Sequence, residues 1–251
     1  MKFSMFGRGA ALVACAALPL GLAACSSSGS GSGAGAAAGT QSTTTASAAT
    51  VPAAPTSTNP DAGLPTGTEL KADLVSTGIP AGYTLDTGGS VDSGSDYQQP
   101  PAPTAGADCT NLDATSWVDL AGQSSVSFAQ SDYIDEAKSE EFAQEVDAYP
   151  GTAAQDVMTA LSAITAKCPK FDDSQTSSTV KVSATTHSTP GDGSVVITLS
   201  DPRWTSTTIL EAVRVGHSVV TVLVSADSGS AAFAQSTATQ IAAKLAAAGN
   251  Q

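Results

Sequence analysis

The clearest alternation of hydrophobic and polar positions lies in the last third of the chain. Residues 179–186, 194–199 and 207–215 carry an apolar side chain at about every second position, which is typical of strands with one buried face. Residues 218–225 are apolar on both faces, which indicates a strand in the middle of a sheet that is covered on both sides. Short turns rich in Gly or Pro separate these segments, so we predict a four-stranded antiparallel meander.

A hairpin is predicted further upstream. Residues 123–131 alternate in the same way and favour a half-buried strand. Residues 140–149 fit two structures, because Phe142 and Val146 have helical spacing while the alternation of larger and charged residues fits a strand. We favour the strand, paired with the one before it.

Helical periodicity is strongest over residues 152–167, where apolar side chains recur at i, i+3 and i+4. Shorter helices are predicted at 68–75, with Thr68 as the cap, and at 109–118. An Ala-rich helix follows Asp227. The order of elements predicts an α+β domain over residues 67–251, with a single antiparallel sheet of about 5–6 strands and helices packed on it.

The N-terminal segment is typical of an export signal. Residues 1–24 have two basic residues, an apolar stretch that is too short to span a bilayer and the sequence Leu22-Ala23-Ala24-Cys25 at the end. This sequence resembles the lipobox of bacterial lipoproteins, which implies that Cys25 becomes the lipidated N-terminus. Cys15 follows a similar sequence, but cleavage there would leave only about five apolar residues before it, fewer than a signal needs.

The composition of the chain after the leader predicts a disordered segment and argues against two classes of binding partner. Residues 25–66 are Ser, Gly, Ala, Thr and Pro with few large apolar groups, so we predict a disordered tether. The net charge is −13 and would become −15 without the leader. Such a chain is not expected to bind nucleic acid or to adsorb to anionic lipid, so the lipid on Cys25 would be its attachment to the outer face of the cytoplasmic membrane.

Cysteine usage predicts a disulfide. With one cysteine in the leader and one lipidated, Cys109 and Cys168 remain as an even pair. An exported chain meets an oxidising environment, and neither residue lies in a CxxC motif or beside a histidine. We therefore predict that Cys109 and Cys168 form a disulfide rather than a metal or redox site.

No sequence motif predicts catalysis. The chain has no nucleophile elbow, zinc-protease, P-loop or dinucleotide-binding motif. His187 and His217 are expected to be exposed turn residues, and Glu136, Glu140, Glu141 and Glu145 are expected to form a solvated acidic face. We expect neither enzymatic activity nor a cofactor or metal.

Three residues are candidates for ligand contact. Trp204 follows Asp201-Pro202-Arg203 in a predicted loop, Tyr83 is an aromatic residue with a polar tip, and Arg214 lies among apolar strand residues. A guanidinium in such a place must find a carboxylate or a ligand anion, and Glu211 would lie on the other face of the strand. Trp117 is expected to be a core residue.

Several segments together resemble a known family. They are Leu70 to Tyr83, Ala153 to Pro169, and Glu211 to Val224 followed by the Ala-rich helix. In this pattern the chain resembles the extracellular sensor domain of PknH-type actinobacterial Ser/Thr kinases over about residues 67–249, and, as a second choice, LpqN-like lipoproteins. The first resemblance implies a binding or sensing module with a groove between sheet and helix. The kinase sensors have a two-disulfide design whereas one pair is available here, so no specific ligand cleft is carried over.

These observations predict an exported, lipid-anchored envelope protein with a non-catalytic binding or sensing domain. Its ligand would be a small lipophile, a wall component or another envelope protein. The alternatives are a secreted hydrolase of the envelope, which requires clustered carboxylates with perturbed pKa values or a Ser-His contact, and a pure protein–protein adaptor.

Overall fold

The fold is taken from a computed structural model, which describes residues 63–96, 99–103, 108–226 and 229–249. The predicted leader, Cys25 and most of the predicted tether lie outside these residues. No helix in the described part of the chain is long and apolar enough to cross a membrane.

The described residues contain a single antiparallel sheet, which confirms the predicted class. Its eight strands are β1 (Thr84–Asp86), β2 (Ser127–Asp135), β3 (Glu140–Ala148), β4 (Lys170–Asp173), β5 (Ser178–His187), β6 (Ser194–Ser200), β7 (Thr207–Val215) and β8 (Ser218–Ala226). They lie in the order β1-β2-β3-β8-β7-β6-β5-β4. The meander over β5–β8 and the β2–β3 hairpin are both confirmed, so residues 140–148 are a strand.

Two short edge strands raise the number above the predicted 5–6. Strand β1 has three residues and pairs with β2. Strand β4 has four residues and pairs with β5, and Phe171 is its one buried residue. Segments this short and polar show no recognisable alternation of apolar and polar residues. They form strands because they pair with a neighbouring strand.

Helices cover both faces of the sheet. They are α1 (Gly67–Asp73), α2 (Ala153–Ser162), α3 (Ile164–Lys167) and α4 (Ser230–Ala247), with 3-10 helices at Cys109–Asp113 and Trp117–Ala121. Helices α1 and α4 pack on one face, here called the α4 face; α2, α3 and the 3-10 helices pack on the other, the α2 face. Strand β8 lies in the middle and is buried on both sides, as its sequence predicts.

The helix predicted over 152–167 is divided, and the first helix begins earlier than predicted. A break at Ala163 separates α2 from α3, although both pieces turn their apolar residues toward the sheet. Thr66, rather than Thr68, caps α1: its hydroxyl accepts the amide of Glu69 while the Glu69 carboxylate accepts the amide of Thr66. This reciprocal arrangement satisfies two amides that the first helical turn would leave unpaired.

The predicted disulfide is present. Cys109 and Cys168 are bonded, with their Cα atoms 5.6 Å apart and 59 positions apart in sequence. The bond joins the first 3-10 helix to the end of α3, so it fixes the segment that precedes Trp117 onto the α2 face. Trp117 is fully buried there, as expected of a core residue.

Candidate functional site

The three predicted contact residues lie in three different places. Trp204 precedes β7, while Arg214 is near the far end of that strand, about 24 Å along it from Thr207. Tyr83 packs on the α4 face, where its hydroxyl lies 3.3 Å from Glu140 Oε2. No single site can therefore use all three.

Trp204 lines a cleft at one end of the α2 face, here called the Trp204 cleft. Its volume is about 240 Å³. The first 3-10 helix, the β2–β3 turn, the end of β4 and the β6–β7 loop contribute to its wall, together with the adjoining ends of β7 and β8. The lining residues are Asp113, Lys138, Ser139, Asp173, Gln175, Trp204, Thr205, Ser206, Thr208 and Ser225.

Asp173 holds the indole of Trp204 in position. Trp204 Nε1 donates to Asp173 Oδ2 at 3.1 Å, and the Thr176 hydroxyl donates to the same oxygen at 2.6 Å. The amide of Gln175 donates to Oδ1 at 2.7 Å. Burial alone would raise the pKa of Asp173, but these hydrogen bonds outweigh it and keep the pKa below its ordinary value. Both carboxylate oxygens are thus engaged in holding the wall of the cleft.

Asp113 is the second carboxyl in the cleft, and its environment raises its pKa, whereas the environment of Asp173 lowers the pKa of that group. Burial, with a smaller contribution from the charge of Asp173, raises the pKa of Asp113 to about 6. The two carboxyls therefore have pKa values that are pushed apart, which is a property of many functional sites.

Among the residues that the structure describes, Lys138 is the one cation on the cleft lining. Its ammonium lies 3.1 Å from Asp135 Oδ2 and 3.5 Å from Glu140 Oε2. The hydrogen bond to Asp135 and the charges of these two carboxylates raise the pKa of Lys138. Asp135 and Glu140 neutralise the charge of Lys138. The carboxyls of Asp113 and Asp173 therefore leave the lining of the cleft acidic overall.

Two further carboxyls lie near the cleft on strands β2 and β3: Asp132 is buried and Glu141 is half-buried. Burial raises the pKa of Glu141 to about 7, and the nearby charges of Asp132, Asp113 and Asp86 add to the effect. Burial likewise raises the pKa of Asp132 to about 7, against the hydrogen bond from Gln130. The sequence does not indicate that these carboxyls lie near Glu141, because Asp86, Asp113 and Asp132 come from three separate segments.

The expected solvated acidic face is wrong for most of its members. Glu140 and Glu145 are buried, Glu141 is half-buried, and only Glu136 is exposed. The reason is that strand β3 is internal to the sheet, between β2 and β8, so both of its faces are covered. Alternation cannot reveal this when the buried residues are themselves charged.

Stability is expected to fall as the pH rises from about 4 to about 7. Burial raises the pKa of Glu211, on β7, to about 7, as it does for Asp132 and Glu141. The folded protein therefore binds these protons more tightly than the unfolded chain, and the free energy of unfolding decreases as they are lost. Thermal melts at pH 5 and pH 8 test this: each kcal/mol lost should lower Tm by roughly 2–4 °C.

The variant Glu211→Gln measures how much of this pH dependence comes from Glu211. Glu211 is 1 % exposed, between Val196 and Val222 in the neighbouring strands. The variant should melt at a higher temperature than the parent at pH 8 and show a smaller difference between pH 5 and pH 8. Glu136→Gln, at an exposed loop position, is the matched control. It should change neither the Tm at pH 8 nor the difference in Tm between pH 5 and pH 8. Equal pH dependence in Glu211→Gln and the parent would contradict the assignment.

The histidines do not join the cleft. His187 is exposed at the end of β5, and His217 is half-buried in the β7–β8 turn. Among the described residues, no group of three or more His, Cys, Asp or Glu side chains is arranged to hold a metal ion.

Comparison with solved structures gives a structural likeness. No family model matches the chain, and no curated protein matches it. The crystal structure of the extracellular domain of PknH from Mycobacterium tuberculosis has 12 % sequence identity to it and a TM-score of 0.43. The alignment covers 73 % of this chain and 92 % of that domain.

Proposed function

We propose that this chain is an exported, lipid-anchored protein of the cell envelope whose folded domain binds a wall saccharide in the Trp204 cleft without transforming it. The cleft carries this proposal: it combines an aromatic ring in a fixed position with hydroxyl, amide and carboxylate groups around it. Attachment through Cys25 rests on the lipobox-like sequence. The disulfide supports an oxidising compartment.

The chemistry of the lining favours a polyhydroxylated ligand over a lipophile. Every lining side chain except Trp204 is polar or charged. Sites for apolar ligands are lined mainly by apolar and aromatic groups. A sugar ring has an apolar C–H face that can stack on the indole and hydroxyls that can bond to the surrounding carboxylates and hydroxyls.

The engagement of Asp173 argues for binding rather than hydrolysis. Glycoside hydrolysis requires a protonated acid and a second carboxylate that is free to attack the sugar or to activate water. Asp113, with its raised pKa, could serve as the acid. Asp173 already accepts three hydrogen bonds, from Trp204, Thr176 and Gln175, so it is poorly placed for either role.

A glycan hydrolase is nevertheless the second candidate, because Asp113 and Asp173 share one cleft and have pKa values pushed apart. Prolonged incubation with soluble wall-glycan fragments distinguishes the two functions. Binding alone leaves the fragments intact. Hydrolysis produces new reducing ends, and Asp113→Asn would abolish their formation.

Trp204→Ala is expected to weaken saccharide binding by roughly 10-fold or more, because the stacking surface of the indole is lost. A soluble disaccharide fragment of wall glycan is titrated against the purified protein, with binding followed by calorimetry. Trp204→Phe is the matched control: it keeps a smaller aromatic ring for stacking and lacks the N–H that bonds to Asp173, so it should bind more tightly than Trp204→Ala. Equal affinity in the parent and Trp204→Ala would contradict the placement of the ligand.

A further inference from the structure

A second cleft, here called the Arg214 cleft, lies at the other end of the α2 face. It has a volume of about 170 Å³ between α2 and strands β5, β6 and β7. Arg214, Asp192 and His187 line it together with hydroxyl and amide groups from Thr159, Ser162, Thr186, Ser194 and Gln155. It shares no lining residue with the Trp204 cleft.

Backbone contacts fix the two charged residues relative to each other. The amide of Asp192 donates to the carbonyl of Arg214 at 2.8 Å, and the amide of Arg214 donates to the carbonyl of Gly193 at 3.1 Å. Gly191 has φ +61°, and a Cβ there would lie 2.3 Å from the carbonyl oxygen of Arg214. The turn is therefore pressed against β7, and the position requires glycine.

Each charged side chain uses only part of its bonding capacity. Arg214 Nη1 makes both contacts of the guanidinium, to Asp192 Oδ2 at 3.2 Å and to the carbonyl of Gly216 at 3.1 Å. Asp192 Oδ2 also accepts the amide of Gly216 at 2.8 Å. Within the described part of the chain, Arg214 Nε and Nη2 and Asp192 Oδ1 have no hydrogen-bond partner.

We propose that the Arg214 cleft binds a small zwitterion, a free α-amino acid, which carries both a carboxylate and an ammonium group. The unused Nε–Nη2 edge of Arg214 is the fork that accepts a carboxylate through two parallel hydrogen bonds. Asp192 Oδ1 accepts the ammonium group. The side chain of Arg214 is 23 % exposed, so its charge is less screened by water than that of a surface arginine.

Opposite charges in one cleft explain why a zwitterion suits it better than a simple anion. Asp192 lies 3.2 Å from the guanidinium and would repel a phosphate or a sulfate that approaches Arg214. A ligand with an ammonium group beside its carboxylate turns this repulsion into attraction. The hydroxyls of Thr159, Ser162 and Ser194 already donate to backbone carbonyls, so they can meet the remaining polar atoms of the ligand only as acceptors.

The test compares alanine, propionate, ethylamine and inorganic phosphate as probes. Binding to the protein purified in detergent is followed by saturation-transfer NMR, at concentrations up to millimolar. Alanine should bind at least 10-fold more tightly than propionate or ethylamine, and phosphate should not compete with it. Absence of alanine binding, equal binding of alanine and propionate, or competition by phosphate would each overturn the proposal.

Two variants assign the contacts. Arg214→Lys keeps the charge and loses the fork, so alanine affinity should fall roughly 10-fold or more. Asp192→Asn should reduce alanine affinity to that of propionate. Glu136→Gln, at an exposed position that lines neither cleft, serves as the control and should leave alanine affinity unchanged. Trp204→Ala should leave alanine binding unchanged, which separates this site from the saccharide cleft. Unchanged alanine affinity in both Arg214→Lys and Asp192→Asn would overturn the proposal.

Discussion

Replacement of Cys25 by serine is expected to release the protein from the membrane into the aqueous fraction. A single acyl chain gives only marginal membrane residence, whereas the two or more chains of a processed lipoprotein give stable anchoring. The acidic composition, with a net charge of −13, provides no electrostatic attraction to anionic lipids that could replace the anchor. Cell fractionation with metabolic labelling by a fatty-acid analogue measures both consequences.

The control for this prediction is Cys15→Ser, which changes the other cysteine that follows a lipobox-like sequence. This variant should remain labelled and membrane-bound. If Cys15→Ser is released and Cys25→Ser is not, the anchor is at Cys15. If both variants remain membrane-bound, the protein is held by something other than acylation at either cysteine.

Removal of the disulfide is expected to destabilise the domain by about 4 kcal/mol, the value of the chain-entropy model for a loop of this length. The bond between Cys109 and Cys168 closes a loop of 59 positions. For a domain of this size, such a loss lowers Tm by roughly 8–16 °C. Thermal melts of Cys109→Ser, Cys168→Ser and the double variant measure it.

The bond should also affect the Trp204 cleft. Asp113 belongs to the same 3-10 helix as Cys109, so loss of the bond loosens one wall of the cleft. Weaker saccharide binding should accompany the lower Tm, while the parent protein treated with a reductant should behave like the double variant. A double variant that melts within 2 °C of the parent would contradict the predicted contribution.

The sequence predicts the centre of the fold better than its edges. Strands β5 to β8 alternate clearly because each carries a regular set of apolar residues, and Ser218 to Ala226 is apolar on both faces. Strands β1 and β4 are too short to show a period, and pairing with a neighbour makes them strands. The break at Ala163 leaves the apolar stripe intact, so periodicity gives no sign of it.

The sequence predicts one residue of the candidate site but not the residues that surround it. Trp204 stands out as an aromatic residue in a polar loop, and it does line a cleft. Its partners Asp173 and Asp113 come from distant segments, and the end of β4 that carries Asp173 is not recognisable in the sequence. Arg214 is expected to find a carboxylate or a ligand anion, and it pairs with Asp192, which is one of many acidic residues that could have supplied the carboxylate.

The most direct test of the account is native mass spectrometry of the protein purified from its own membrane and mixed with a wall-glycan disaccharide. A one-to-one complex is expected in the parent and in Trp204→Phe, with loss of the complex in Trp204→Ala and recovery of the disaccharide with unchanged mass. Failure to form a complex at millimolar disaccharide, or recovery of the separate monosaccharides, would contradict it.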